Sequence, residues 1–293
     1  MKHCITGSII ALVLLISCAG MHDENSSEKW VSLFNGKNFE GWTLYLGVPE
    51  PQSMIANLER DGQGRYTSDL GINNDPLGVY TIVNEDGEPS IKVTGEVFGT
   101  LITDKEYSDY HVKLQFKWGE KKWLPRLHMP RDAGLLYHGF DAPGSVTNRW
   151  HPTQECQIQE GDTGDYWPIG DVTIEIPSAK TDTAKWWAYQ PSAPLHRYFF
   201  SKEMSERRCI KYPDNEKPHG QWNTVEVIAL GDSSIHVVNG KVVMRLYNSR
   251  RIKDGVPVPL TGGKIALQSE GAELFYRREE IRSIDRVPKE YVR

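Results

Sequence analysis

The stretch His111 to Trp118, HVKLQFKW, alternates strictly between apolar and polar residues. A period of two puts Val112, Leu114, Phe116 and Trp118 on one face and Lys113, Gln115 and Lys117 on the other, the pattern of a half-buried strand. Thr224 to Leu230, Ser234 to Val238 and Val242 to Tyr247 add three more strands in quick succession. Asn239-Gly240 separates the second from the third, and this dipeptide supplies the two left-handed residues of a tight hairpin. Gly262-Gly263 precedes Lys264 to Ser269, and Glu273 to Ile284 follows. No long amphipathic helix competes, so the predicted class is all-β, two antiparallel sheets packed face to face as a jelly roll. Residues 45–80 and 178–220, rich in Pro, Gly, Asn and charge, are expected to be long loops of the same domain. No internal repeat or low-complexity tract interrupts it.

The amino terminus carries a different signal. Met1, Lys2 and His3 precede the apolar run Ile9 to Ile16, followed by Leu15-Ile16-Ser17-Cys18 and the small residues Ala19 and Gly20. The run is too short for a membrane span, which needs about 20 apolar residues, and has the size of a signal-peptide core. Residues 1–18 therefore read as a lipoprotein signal ending in a lipidated Cys18. Residues 19–29 read as a polar flexible tether, and 30–293 as one domain. The expected location is the cell envelope of a Gram-negative bacterium, as an outer-membrane lipoprotein facing the periplasm or the surface. Contact with the membrane would be through the anchor alone.

Without Lys2, 33 basic residues stand against 39 acidic ones, a net charge of −6. There is no basic run or stripe, which argues against a nucleic-acid partner. Cys4 leaves with the signal and Cys18 is lipidated. Cys156 and Cys209 remain, able to pair or to sit buried, with burial favoured for Cys156. Nine Trp and thirteen Tyr in an exported acidic domain fit sugar handling, and several of them must also fill the core.

The segment Glu155 to Asp162, ECQIQEGD, places Cys156 and Ile158 on one face and Glu155, Gln157 and Gln159 on the other. A row of one carboxylate and two carboxamides offers the donors and acceptors that sugar hydroxyls require. Gln268 and Glu270 share a parity in QSEG, His138 ends the run RDAGLLYH, and Tyr276-Arg277-Arg278 suggests an inward arginine. In the aromatic loop Lys185 to Tyr189, adjacent tryptophans cannot both face one core, which makes Trp187 a candidate stacking residue. No Gly-x-Ser-x-Gly elbow, His-Glu-x-x-His zinc helix, Walker loop or dinucleotide fingerprint is present.

An ordered set of motifs begins at Leu33-Phe34-Asn35-Gly36-Lys37 with Gly41-Trp42, and continues at Thr103 to Tyr107, Asp132 to His138 and Glu155 to Asp162. It runs on through Gly220 to Asn223, Val238-Asn239-Gly240 and Leu267 to Gly271 to Phe275-Tyr276-Arg277. This ordered set resembles the 3-keto-disaccharide hydrolase family. The resemblance implies a concanavalin A-like jelly roll and an exported sugar-processing enzyme, linked to a sugar 3-dehydrogenase that would supply its substrate. The sequence departs from the family pattern in three places. Asp132-Ala133-Gly134 stands where Asn or Asp then Ser-Gly is common, Glu270 where His is common, and Arg278 where Asn follows the arginine.

The activity so implied is cleavage of 3-keto-glycosides, by hydrolysis or by C2 deprotonation and elimination. It calls for a base near C2, an electrophile at the C3 oxygen and an acid for the leaving oxygen. The candidates are His138 or Glu155 as base, Arg277 at the ketone and Glu160 or Glu270 as acid, with Gln157, Gln159 and Gln268 on hydroxyls. A divalent metal held by Glu155 or His138 is an alternative electrophile. A non-catalytic carbohydrate-binding lipoprotein and a conventional glycosidase are the competing readings.

Overall fold

The computed structural model describes Met1, residues 29–200 and residues 206–292. The signal run, Cys18 and most of the tether lie outside the described residues. The described residues form a jelly-roll sandwich of two sheets. The outer sheet runs, in spatial order, Tyr80–Glu85, Glu88–Val93, Ala272–Ser283, Tyr110–Lys122, Asn223–Leu230, Ser233–Val238 and Lys241–Lys253, every neighbour antiparallel. The inner sheet runs Gly71–Ile72, Trp42–Leu46, Gly99–Thr103, Gly262–Ser269, Asp132–Gly139, Thr153–Gln159 and Tyr166–Ile169.

Alternation decides what each sheet gives to the core. Val112, Leu114, Phe116, Trp118, Val225, Val227, Leu274 and Tyr276 point inward from the outer sheet. Leu44, Leu46, Leu101, Leu135, Tyr137, Cys156, Ile158 and Leu267 meet them from the inner one. Each such side chain, fully withdrawn from water, contributes about 1.5–3 kcal/mol. The hairpin forms where the sequence puts it: Asn239 and Gly240 have φ of 49° and 77°, and Val238 pairs with Lys241. Cys156 and Cys209 are both buried and free. Tyr166 lies between them, paired with each.

The stretch 178–220 is less loop-like than its composition suggests. Trp187–Tyr189, Leu195–Phe199 and Cys209–Ile210 are short strands at the sheet edges, the first and last pairing in parallel. They close a second small core of Tyr166, Ile174, Ile176, Tyr198, Met244 and Leu246. No helix of the described residues is long and apolar enough to cross a membrane.

Candidate active site

The residues of interest lie on the face of the inner sheet turned away from the main core. Because Ala133, Leu135, Cys156, Ile158 and Leu267 point inward, Asp132, Gly134, Leu136, Glu155, Gln157, Gln159 and Gln268 share the other face. This face is nevertheless covered. Val146 and Trp150 pack over Ile102, Leu136, Ile169 and Ala266 at one end, and the segment carrying Arg126 folds over the other. Glu155 and Gln157 are each 5% exposed, and Asp132 and Gln268 1%.

The centre is a glycine. Glu155 and Gln268, on the two strands flanking Asp132–Gly139, both reach over Gly134. A methyl group there would overlap Glu155 Oε1 and lie 2.9 Å from Gln268 Oε1. Exchanging Gly134 for Ala is therefore expected to cost about 1–3 kcal/mol of stability through overpacking. The denaturant midpoint of the variant checks this.

Next along the strand, Arg126 Nη2 contacts Asp132 Oδ2 and lies 2.5 Å from Glu270 Oε1. Gln159 Nε2 donates to Asp132 Oδ2 at 2.6 Å. A single guanidinium nitrogen thus engages both carboxylates, leaving the remaining donors of Arg126 for a ligand. Gly271 makes this possible. Its φ of +76° is left-handed, and a Cβ there would come within 2.9 Å of Arg126 Cβ. Trp123 N donates to Gly271 O at 2.9 Å, which docks the whole segment.

The electrostatics follow from three carboxylates around one arginine. Burial, then the charges of Glu270 and Asp132, push the Glu155 carboxyl well above its ordinary range, against the pull of Arg126. Burial and Glu270 do the same to Asp132, opposed by Arg126 and Gln159. Burial opposes the charge of Arg126, but Glu270 and Asp132 outweigh it and hold the guanidinium above its usual value. Three buried polar atoms on this face have no partner among the described residues: Asp132 Oδ1, Gln268 Oε1 and Thr100 Oγ1. Buried polar atoms are nearly always satisfied, by protein or by ordered water, so these three are open to a partner from outside the chain. Glu155 accepts no hydrogen bond from any described residue, so its carboxylate is also open to a ligand.

Of the residues singled out in the sequence, Glu155, Gln157, Gln159, Gln268 and Glu270 come together here. Gln157 is partly committed, its Oε1 accepting from Ile158 N at 3.1 Å. Glu160 sits at the rim, 2.9 Å from Arg131 Nη1 and 3.2 Å from His219 Nδ1. Burial alone would raise its carboxyl, but the hydrogen bonds and charge of Arg131 hold it below the usual range.

Three expected site residues lie elsewhere. His138 has φ of +56° at a β-bulge opposite Lys264–Ala266. The bulge re-aims its ring, which packs edge-on against Tyr110 and Tyr137 at 5.6 and 5.2 Å. Burial pushes its pKa down to about 4, and among the described residues neither ring nitrogen has a hydrogen-bond partner. Arg277 projects from the outer sheet because its neighbour Tyr276 faces the core. It stacks on Trp222 at 3.8 Å and donates to Gln115 Oε1 at 2.8 Å. Arg278 also faces out, to Glu88. The arginine at the carboxylates is Arg126, which the sequence reading passed over. Trp187 stacks on His196 at 3.8 Å and packs against the second core.

Glu155 and His138 do not share a ligand set. Among the described residues no group of three His, Cys, Asp or Glu is placed to hold a metal ion. These donors do not fit the metal alternative.

The described residues thus form a jelly-roll sandwich with a buried carboxylate–arginine centre on the outward face of one sheet. Residues 29–282 match the 3-keto-alpha-glucoside-1,2-lyase-like domain, and the chain belongs to that family. No curated protein matches the chain. Among solved structures, a provisionally assigned glycosyl hydrolase from Parabacteroides distasonis ATCC 8503 is 18% identical, covering 87% of this chain and 100% of that one, with a TM-score of 0.45. A second from the same organism is 17% identical, covering 87% and 94%, with a TM-score of 0.47. Bacillus licheniformis beta-glucanase is 10% identical, covering 90% and 100%, with a TM-score of 0.38. Likeness of this degree carries no argument about activity.

Proposed function

We propose that the chain is a carbohydrate-processing enzyme that cleaves 3-keto-glycosides, with Glu155 as its base. The observation that carries the reading is the Glu155 carboxylate, buried over Gly134 without a hydrogen-bond donor, beside an arginine with donors to spare. A ketone at C3 makes the C2 proton acidic. Glu155 takes that proton, and the C–H electron pair forms the C2–C3 double bond of an enolate. Arg126 stabilises the charge on the C3 oxygen. Re-forming the ketone drives the pair into a C1–C2 double bond and expels the leaving group from C1. The departing oxygen takes its proton from water. Water adds at C1 and a proton returns to C2, so the net change is hydrolysis. A carboxyl raised above its ordinary range by burial suits this step, since its conjugate base is stronger than an ordinary carboxylate. Gln159 and Gln268 hold hydroxyls.

Exported lipoprotein status belongs to the same proposal: a signal through Cys18, a tether over 19–29, and one domain over 30–293 at the outer membrane. The family match starting at residue 29 supports that division. A sugar 3-dehydrogenase would supply the keto substrate.

The test is a matched pair of substrates given to the protein without residues 1–18, a disaccharide and its 3-keto derivative, with products read by mass spectrometry. Cleavage of the keto form alone is expected. Cleavage of the unoxidised sugar would point to a conventional glycosidase. A rise in melting temperature with no product would point to a binding protein.

A further inference from the structure

We propose that Trp167, backed by Trp186, forms the leaving-group subsite of the Glu155 centre and selects glycosides whose leaving group presents a flat apolar face. The inference rests on the function proposed above and adds the polarity of the substrate in the site.

The argument is one of order along a single strand. Arg126 and Glu270 sit at the level of Asp132, the Glu155 carboxylate at the level of Gly134, and Trp167 at the level of Leu136. Leu136 pairs with Glu155, and Glu155 pairs with Trp167, so the three side chains share a face. Directly opposed residues of this kind have Cβ atoms about 4.5–5.5 Å apart, and each two-residue step along the strand is about 7 Å. The sugar carries its reacting atoms in the order C3, C2, C1. With the C3 oxygen at Arg126 and C2 at Glu155, the substituent on C1 points away from the arginine and toward Trp167.

That end of the site is built differently from the other. Trp167 is half-buried, and its indole Nε1 is buried without a partner among the described residues. Such a donor is rarely left unmade, and the oxygen leaving C1 would satisfy it. Trp186 meets Trp167 edge-to-face at 5.7 Å. The Arg208 guanidinium lies 5.8 Å from one ring and 5.6 Å from the other. Arg208 is itself fixed by Asp162 and Asp165, both at 2.6 Å. The pair is thus a supported aromatic platform. Trp150, packed over Leu136, gives the same end a second apolar wall. The Arg126 end offers carboxylates, carboxamides and unpaired oxygens, which suit hydroxyl groups instead.

The experiment compares benzyl and methyl 3-keto-glycosides of one sugar, chosen because the two alcohols are similarly basic and differ in the ring. Trp167→Ala is expected to lower kcat/KM for the benzyl glycoside about tenfold or more, mainly through KM, and for the methyl glycoside less than threefold. Trp167→Phe should retain most of the benzyl preference, with melting temperatures confirming that both variants fold. Equal losses on the two substrates, or no loss on either, would overturn the subsite. If the wild type cleaves neither glycoside, the assignment of the centre falls as well, an outcome that the variants alone cannot produce.

Discussion

Replacing Glu155 with Gln is expected to lower turnover of a 3-keto-glycoside by 100-fold or more while raising the melting temperature. The loss of rate follows from removing the base, whose contribution in such reactions is about 10²–10⁴-fold. The gain in stability follows from the same environment. Burial and the charges of Glu270 and Asp132 raise the folded-state pKa of Glu155 above its unfolded value. Between those two values the folded protein holds the extra proton, so the stability contributed by the protonated form is lost as pH rises from about 4.5 upward. A neutral carboxamide escapes that penalty. The variant's advantage should be slight at pH 4 and larger at pH 8, worth about 1–3 kcal/mol, with each kcal/mol moving the transition about 2–4 °C. Wild-type kcat/KM should rise with pH along a limb displaced above the ordinary carboxylate range. A scan of melting temperature against pH for both proteins checks the sign. An unchanged rate would remove Glu155 from the chemistry, and a stability loss that grows with pH would contradict its electrostatic setting.

Replacing Arg126 with Met is expected to be the most destabilising single change at the site. Among the described residues the side chain is the one cation close to Asp132, which is 1% exposed, and it also holds Glu270. Removing one partner from a buried ionic cluster typically costs about 3–5 kcal/mol, a fall of roughly 10 °C in a chain of this size. The defect should shrink in acid, where Asp132 and Glu155 can protonate, and widen as pH rises. Neutralising Asp132 in the same chain, Arg126→Met with Asp132→Asn, should recover much of the melting temperature. It should not recover turnover, because the enolate oxygen would still lack its donor. Recovery of both would reduce Arg126 to a structural counter-ion.

What the sequence made legible follows from period-two alternation. His111 to Trp118 declared its buried face, and the same logic put Glu155, Gln157 and Gln159 opposite Cys156 and Ile158. Gln268 and Glu270 joined them because their strand lies two away across Asp132–Gly139. Alternation failed wherever the backbone broke it. The bulge at His138 and the left-handed φ of Arg278 turn each side chain from the face its parity assigns. Parity also cannot say which sheet a strand joins, which is why Arg277 looked available to the site. Arg126 lies in a segment without periodicity, positioned by a docked backbone. Its one trace in the sequence is Gly271, whose missing side chain makes room for it. Gly134 left a similar trace inside a strand, where a glycine often marks a close approach. The choice between adjacent tryptophans was equally beyond pattern: Trp187 turns into the second core, while Trp186 meets Trp167.

The central claim is that Glu155 removes the C2 proton of a 3-keto sugar, and the most direct measurement is turnover in deuterium oxide. The released sugar is then analysed by NMR and mass spectrometry. One deuterium at C2 is expected from the wild type, because the proton lost to Glu155 is replaced from solvent, and no enrichment above background is expected from Glu155→Gln. Full turnover by the wild type with hydrogen retained at C2 would contradict the elimination route and the role given to Glu155.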